Sequence, residues 1–132
     1  MGKTYDMTIE QGSSFFLSIS IENTEGYVLD IKECLAIMQI RSMQSYDSEK
    51  LFDITPYMTF TKDNRILVEI PGDVTAQLPW KNGFYDIRIK EIHTNRIYKI
   101  LEGTVTVTPR VSDNMWSKAA KFVDTCVMPE DI

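Results

Sequence analysis

Apolar and polar positions alternate over much of this chain. From Ser14 to Ile21, Phe15, Leu17, Ile19 and Ile21 fall on one side and Ser14, Phe16, Ser18 and Ser20 on the other. A period of two predicts a strand with one buried face. "ENTEGY" follows as a polar turn in which Gly26 is free to take positive φ, and Val28 to Ile31 briefly resumes an extended run. "CLAIMQIR" then sets Cys34, Ala36, Met38 and Ile40 against Leu35, Ile37, Gln39 and Arg41, with Gln39 and Arg41 marking the solvent side. "SMQSYDSEK" is the most polar stretch and reads as a loop. A short strand is expected around Tyr57 to Thr61, with Pro56 barring a central ladder position just before it.

Arg65 to Ile70 alternates again, with Ile66, Val68 and Ile70 inward. "PGDVTAQLPWKNG" predicts one or two helical turns, capped by Asp73 and stopped by Pro79. "FYDIRIKEI" has the cleanest alternation, with Tyr85, Ile87 and Ile89 opposing Asp86, Arg88 and Lys90. "HTNR" makes a tight turn, and "IYKILEGTVTVTP" returns with Val105 and Val107 inward. Gly12 and Gly103 stand where a bulge or a close backbone approach is allowed. Asp86 or Glu102 is expected to pair with Arg41 across neighbouring strands.

After Pro109 the period changes. Met115, Ala119, Phe122 and Cys126 share one helical stripe, beside Trp116, Ala120, Val123 and Val127. Ser112 or Asp113 suits the N-cap, and Pro129 ends the segment. Together these elements predict an all-β fold. It is an antiparallel β-sandwich or small barrel of six to eight short strands over residues 1–111, followed by an amphipathic helical extension over residues 112–132. Met115, Trp116, Phe122 and Val123 are the candidate protein-interface residues.

Composition changes this picture little. The 132 residues are 43% hydrophobic and 25% charged, those of an ordinary globular domain rather than a disordered chain. The net charge of −5 argues against nucleic-acid binding, which needs a clustered basic surface. Arg88, Lys90, Arg96 and Lys99 form only a diffuse basic group, read as a solvated sheet face or as a patch for an acidic partner. No apolar run approaches the ~20 residues of a membrane span, so no membrane role is expected. The first residues have neither the apolar core of a secretory signal nor a myristoylation pattern, since Asp6 stands where Ser or Thr is needed. Cys34 and Cys126 are read as reduced, half-buried thiols, with a disulfide left open.

Candidate chemistry is sparse. His93 is the only histidine and sits in a turn. There is no zinc-type spacing, phosphate loop, nucleophile elbow or calcium loop. The carboxylates Glu22, Glu25, Asp47, Glu49, Asp86 and Glu102 form no marked pair of the kind a glycosidase needs. The expectation is therefore a non-catalytic protein without cofactor or metal. Among the aromatic residues Trp80, Tyr57, Tyr85 and Tyr98, Tyr85 lies on the apolar side of its strand. Trp80 and Tyr57 are the candidates for an alternative ligand platform, for carbohydrate or a host surface.

Gln11-Gly12, Asp30, Met38-Gln39-Ile40-Arg41, Leu78-Pro79-Trp80, Gly83, Tyr85-Asp86 and Glu102-Gly103 form a pattern across residues 9–112. It resembles small β-sandwich virion proteins of tailed bacteriophages and is similar to the N-terminal domain of phage baseplate upper proteins. Ile31 departs from the leucine usual in that pattern, and the segment after Ser112 lies outside it. The resemblance implies an immunoglobulin-like or baseplate-upper-protein-like sandwich. It also implies a structural adaptor of the neck, baseplate or fibre-attachment region, made in the host cytoplasm and ending in the virion. Its partners would be other virion proteins and further copies of itself.

Overall fold

The computed structural model describes residues 3–21, 33–79, 81–113 and 115–121. Two sheets face each other. The larger holds β1 (Lys3–Thr4), β2 (Met7–Glu10), β9 (Ile97–Thr108), β8 (Asn82–Glu91), β4 (Cys34–Arg41) and β5 (Lys50–Asp53). β1 and β2 run one after the other along the same edge of β9, and the order continues β9-β8-β4-β5. The smaller sheet is β3 (Phe15–Ser20), β7 (Arg65–Ile70) and β6 (Met58–Phe60), in the order β3-β7-β6. A single helical turn, α1 (Gly72–Thr75), joins β7 to β8.

The alternation predicted from the sequence is the alternation observed. Met38 and Ile40 of β4, Ile66, Val68 and Ile70 of β7, Ile87 and Ile89 of β8 and Val105 of β9 are all buried. Met7 and Ile9 of β2 join the same core from the sheet edge, and Phe15, Leu17 and Ile19 of β3 pack on it from the second sheet. Hydrophobic burial of these inward rows holds the two sheets together.

Four sequence expectations are corrected. β1 and β2 pair with β9 in parallel, so the sandwich is not purely antiparallel. β5 occupies a sheet edge that the sequence left as loop. α1 is capped by the Pro71 backbone, with Asp73 inside its first turn and making no cap bond; there its charge still favours the positive end of the turn. The segment after β9 is not the predicted continuous helix in its described part. It holds one 3-10 turn, Trp116–Lys118, after which Ala119 is extended. A short amphipathic segment with no surface to pack on lacks the tertiary contacts that make most helices stable. Asp113 accepts a bond from the Met115 N–H at 3.0 Å, but the N-cap of the turn is Met115, with no side-chain cap bond. Phe122, Val123 and Cys126, like Val28 to Ile31, lie outside the described residues.

Besides their ladders, β1 and β2 are fastened to β9 at the break between them. The break between β1 and β2 falls at Tyr5 and Asp6. Tyr5 N–H donates to the Glu102 carbonyl at 2.9 Å. The Asp6 carboxylate accepts from the Thr104 N–H at 3.0 Å and so supplies the acceptor that the ladder loses at the break. This bond holds the Asp6 carboxyl below its ordinary pKa. The Tyr85 hydroxyl donates to the Tyr5 carbonyl at 2.6 Å. Burial, and then the neighbouring Tyr5 and Asp6, push the Tyr85 phenol well above its ordinary pKa of 10.0.

Tyr85→Phe is therefore expected to cost about 1 kcal/mol, the net value of one such bond, read by denaturant melts. The pH dependence has a definite sign. A phenol that ionises later in the folded state than in the unfolded one stabilises fully below pH 10.0, and this contribution falls away as pH rises beyond it. Wild type is expected to lose stability above that point more steeply than Tyr85→Phe. Parallel curves for the two proteins would contradict the assignment.

Candidate functional site

The outward side chains of the larger sheet form the most developed surface among the described residues. Strand register sets them in rows. Leu35 of β4 lies beside Lys90 of β8, Ile37 beside Arg88, Gln39 beside Asp86 and Arg41 beside Phe84. On the other flank of β8, Lys90 pairs with Ile97 of β9, Arg88 with Lys99, Asp86 with Glu102 and Phe84 with Thr104. Paired residues of an antiparallel ladder project to the same face. The face therefore carries an apolar strip on β4, a basic row (Arg88, Lys99) and, one step along the strands, an acidic row (Asp86, Glu102). Leu35 and Ile37 are 55% and 52% exposed.

The loop between β4 and β5 rises over one end of this face and encloses a recess of about 560 Å³. Its floor includes Ile37, Gln39, Asp86 and Arg88, and its wall includes Met43 and Tyr46. The loop closes on itself. The Ser48 hydroxyl donates to the Ser45 carbonyl at 2.7 Å, and Ser45 also bonds to Asp47. Arg41 belongs to this loop rather than to an acidic neighbour. Its guanidinium donates to the Ser48 carbonyl at 2.8 Å and to Gln39 Oε1 at 3.0 Å, and lies 5.6 Å from the centroid of the Tyr46 ring. The expected bridge from Arg41 to Asp86 or Glu102 is thus not formed. Asp86 registers with Gln39, one pair away from Arg41, and Glu102 takes Lys99 at 3.1 Å. The side chains of Asp86, Arg88 and Lys90 make no hydrogen bond or ion pair among the described residues.

The residues singled out from the sequence do not converge. Tyr57 is half-buried and stacked on Phe52 at 5.9 Å between ring centroids, which makes it part of the packing rather than an open platform. Trp80, its partner in that reading, lies outside the described residues. His93 sits in the exposed turn between β8 and β9, with Nε2 2.7 Å from Glu33 Oε2. Among the described residues no three His, Cys, Asp or Glu side chains cluster as metal ligands would, and no helix is long and apolar enough to cross a membrane. Met115 and Trp116 are exposed, Trp116 at 67%. The sequence placed Asp86, Arg88 and Lys90 on one outward row by alternation. It could not show that Ile37, Lys99 and Glu102 are their neighbours, because register is a tertiary property.

The strand order defines the class. One sheet of β9-β8-β4-β5 facing another of β3-β7-β6 is the arrangement of an immunoglobulin-like sandwich, with β1 and β2 carried on the edge of β9. Neither a family model nor a curated protein matches the chain. Among solved structures, it is similar to a chicken TCR at 9% identity and a TM-score of 0.48, over 81% of this chain and 54% of that one. It is also similar to the insect immune protein hemolin at 13% identity and a TM-score of 0.45, over 86% of this chain and 27% of that one. The chain thus spans about half of the first of these and about a quarter of the second.

Proposed function

We propose that this protein is a non-catalytic structural adaptor of a tailed-bacteriophage particle, acting through protein–protein contacts in the neck, baseplate or fibre-attachment region. One observation carries the contact part of this reading. Every described residue from Pro109 to Lys121 is exposed, including Val111, Met115 and Trp116. A run that leaves a tryptophan, a methionine and a valine in water contributes little to its own sandwich. Burying those side chains against a neighbour is worth about 1.5–3 kcal/mol for each large one fully covered. Trp and Met are also enriched at interfaces. The virion assignment is supported by the resemblance over residues 9–112. The adaptor role is supported by the uncharged outward rows Phe16, Ser18 and Ser20 of β3 and Thr104, Thr106 and Thr108 of β9, whose hydroxyls meet a partner at little desolvation cost.

Truncation after Val111 tests the contact. The sandwich is expected to melt within about 2 °C of the full chain, because none of the described residues that the cut removes is buried. Full-length protein is expected at a fixed copy number in phage particles purified by density gradient, and the truncated form is expected to be absent from them. A large fall in melting temperature on truncation would place the segment in the protein's own core. Full incorporation of the truncated form would remove it from the interface.

A further inference from the structure

We propose that the outer face of the larger sheet is a self-complementary docking surface for a second copy of this chain. The inference rests on the charge pattern of that face and is independent of the virion reading.

The basic and acidic rows are one step apart along the same strands. Arg88 and Asp86 are adjacent outward positions on β8, and Lys99 and Glu102 are their partners on β9. Consider a two-fold axis lying between two such faces, perpendicular to the strands and passing between these rows. It sets each strand antiparallel over its own copy and carries the basic row of one protomer onto the acidic row of the other. Arg88 then faces the second copy's Asp86 and Asp86 faces the second copy's Arg88. The Lys99–Glu102 pair, 3.1 Å apart within one chain, meets its own reverse, giving alternating charges rather than repulsion. Ile37, in the row of Arg88, then faces the second copy's Gln39, which lies in the row of Asp86.

No other simple occupant uses the whole pattern. An acidic partner leaves Asp86 and Glu102 opposed, and a basic one leaves Arg88 and Lys99 opposed. A second copy satisfies all four. Isologous pairing of this kind is the commonest closed symmetry in soluble oligomers, and the opposed rows also fix its register, since like charges directly opposite are costly. Asp86 is half-buried, while Arg88 is exposed, and neither side chain has a partner among the described residues.

Light scattering coupled to size-exclusion chromatography, run on the full chain over a range of loading concentrations, reads the result. Wild type is expected to reach a dimer. Arg88→Asp alone and Asp86→Arg alone are each expected to weaken it about tenfold or more, because each places like charges together twice across the axis. The double variant carrying both substitutions restores opposite charges and is expected to return to within about threefold of wild type. If either reversal unfolds the chain by circular dichroism, Arg88→Gln and Asp86→Asn replace them with the same expected direction. The proposal is overturned if wild type stays monomeric at every concentration, if the single reversals leave the dimer unchanged, or if the double variant is no better than the singles. A dimer lost on truncation after Val111 but indifferent to residues 86 and 88 belongs to the tail and equally overturns it.

Discussion

Gly103→Ala is expected to destabilise the protein by about 3 kcal/mol, at the upper end of overpacking costs, and to lower its melting temperature by on the order of 10 °C. The reason is what lies above this residue. A Cβ at Gly103 would come 2.1 Å from the Tyr5 carbonyl oxygen and 2.7 Å from the Tyr5 carbonyl carbon. Both are backbone atoms, and they are held by the bonds from Tyr5 N–H to Glu102 and from the Tyr85 hydroxyl to Tyr5. The methyl group has nowhere to go unless the break between β1 and β2 lifts off β9. Gly83 supplies the contrast. There a Cβ would meet Ile40 Cγ2 at 2.7 Å and the Arg41 carbonyl oxygen at 3.2 Å, a milder overlap than the one at Gly103, so Gly83→Ala is expected to cost less. Urea melts of both variants check the order, and a Gly103→Ala protein melting within about 2 °C of wild type would refute the argument.

Thr75→Val is expected to cost about 2–3 kcal/mol, through lost hydrogen bonds rather than lost volume. Thr75 is the fully buried polar side chain among the described residues. Its hydroxyl accepts from the Gly12 N–H at 3.1 Å and donates to the Ser13 carbonyl at 2.8 Å. It thereby ties α1 to the turn between β2 and β3, where Gly12 takes a φ of 80°. Valine matches threonine in shape but leaves both backbone groups without this partner. Thr75→Ser keeps the hydroxyl, loses one methyl and is expected to fall by only about 1 kcal/mol. Equal losses for the two variants, measured by denaturant titration, would show that packing rather than bonding sets the cost.

These two sites show what the sequence carries and what it does not. The inward rows of β4, β7 and β8 were legible because the burial of Met38, Val68 and Ile87 follows directly from a period of two. Gly103 was legible as a place of close approach, though not as the seat of Tyr5, since a sequence does not state which strand arrives. The same limit hid the parallel pairing of Met7 with Val105. β5 was missed because Lys50-Leu51-Phe52-Asp53 does not alternate, and an edge strand with three half-buried residues need not. The described part of the segment from Ser112 carried a helical period yet holds only the turn Trp116–Lys118, and period alone does not make a helix. The charged outer face of the larger sheet was half legible. Asp86, Arg88 and Lys90 were placed on one outward row, while their relation to Lys99 and Glu102 depends on a bulge between Ile87 and Arg88 that local pattern does not encode.

The parallel seating of β1 and β2 on β9 bears on how the chain is made. Lys3 pairs with Leu101 and Glu10 with Thr108, so the opening strands wait on the ribosome for a partner synthesised about a hundred residues later. Until it emerges, Met7 and Ile9 have no strand to dock against. The sandwich therefore closes only after translation has passed Thr108, and a nascent chain released short of that point carries a bare sheet edge into the cell, where such edges recruit one another.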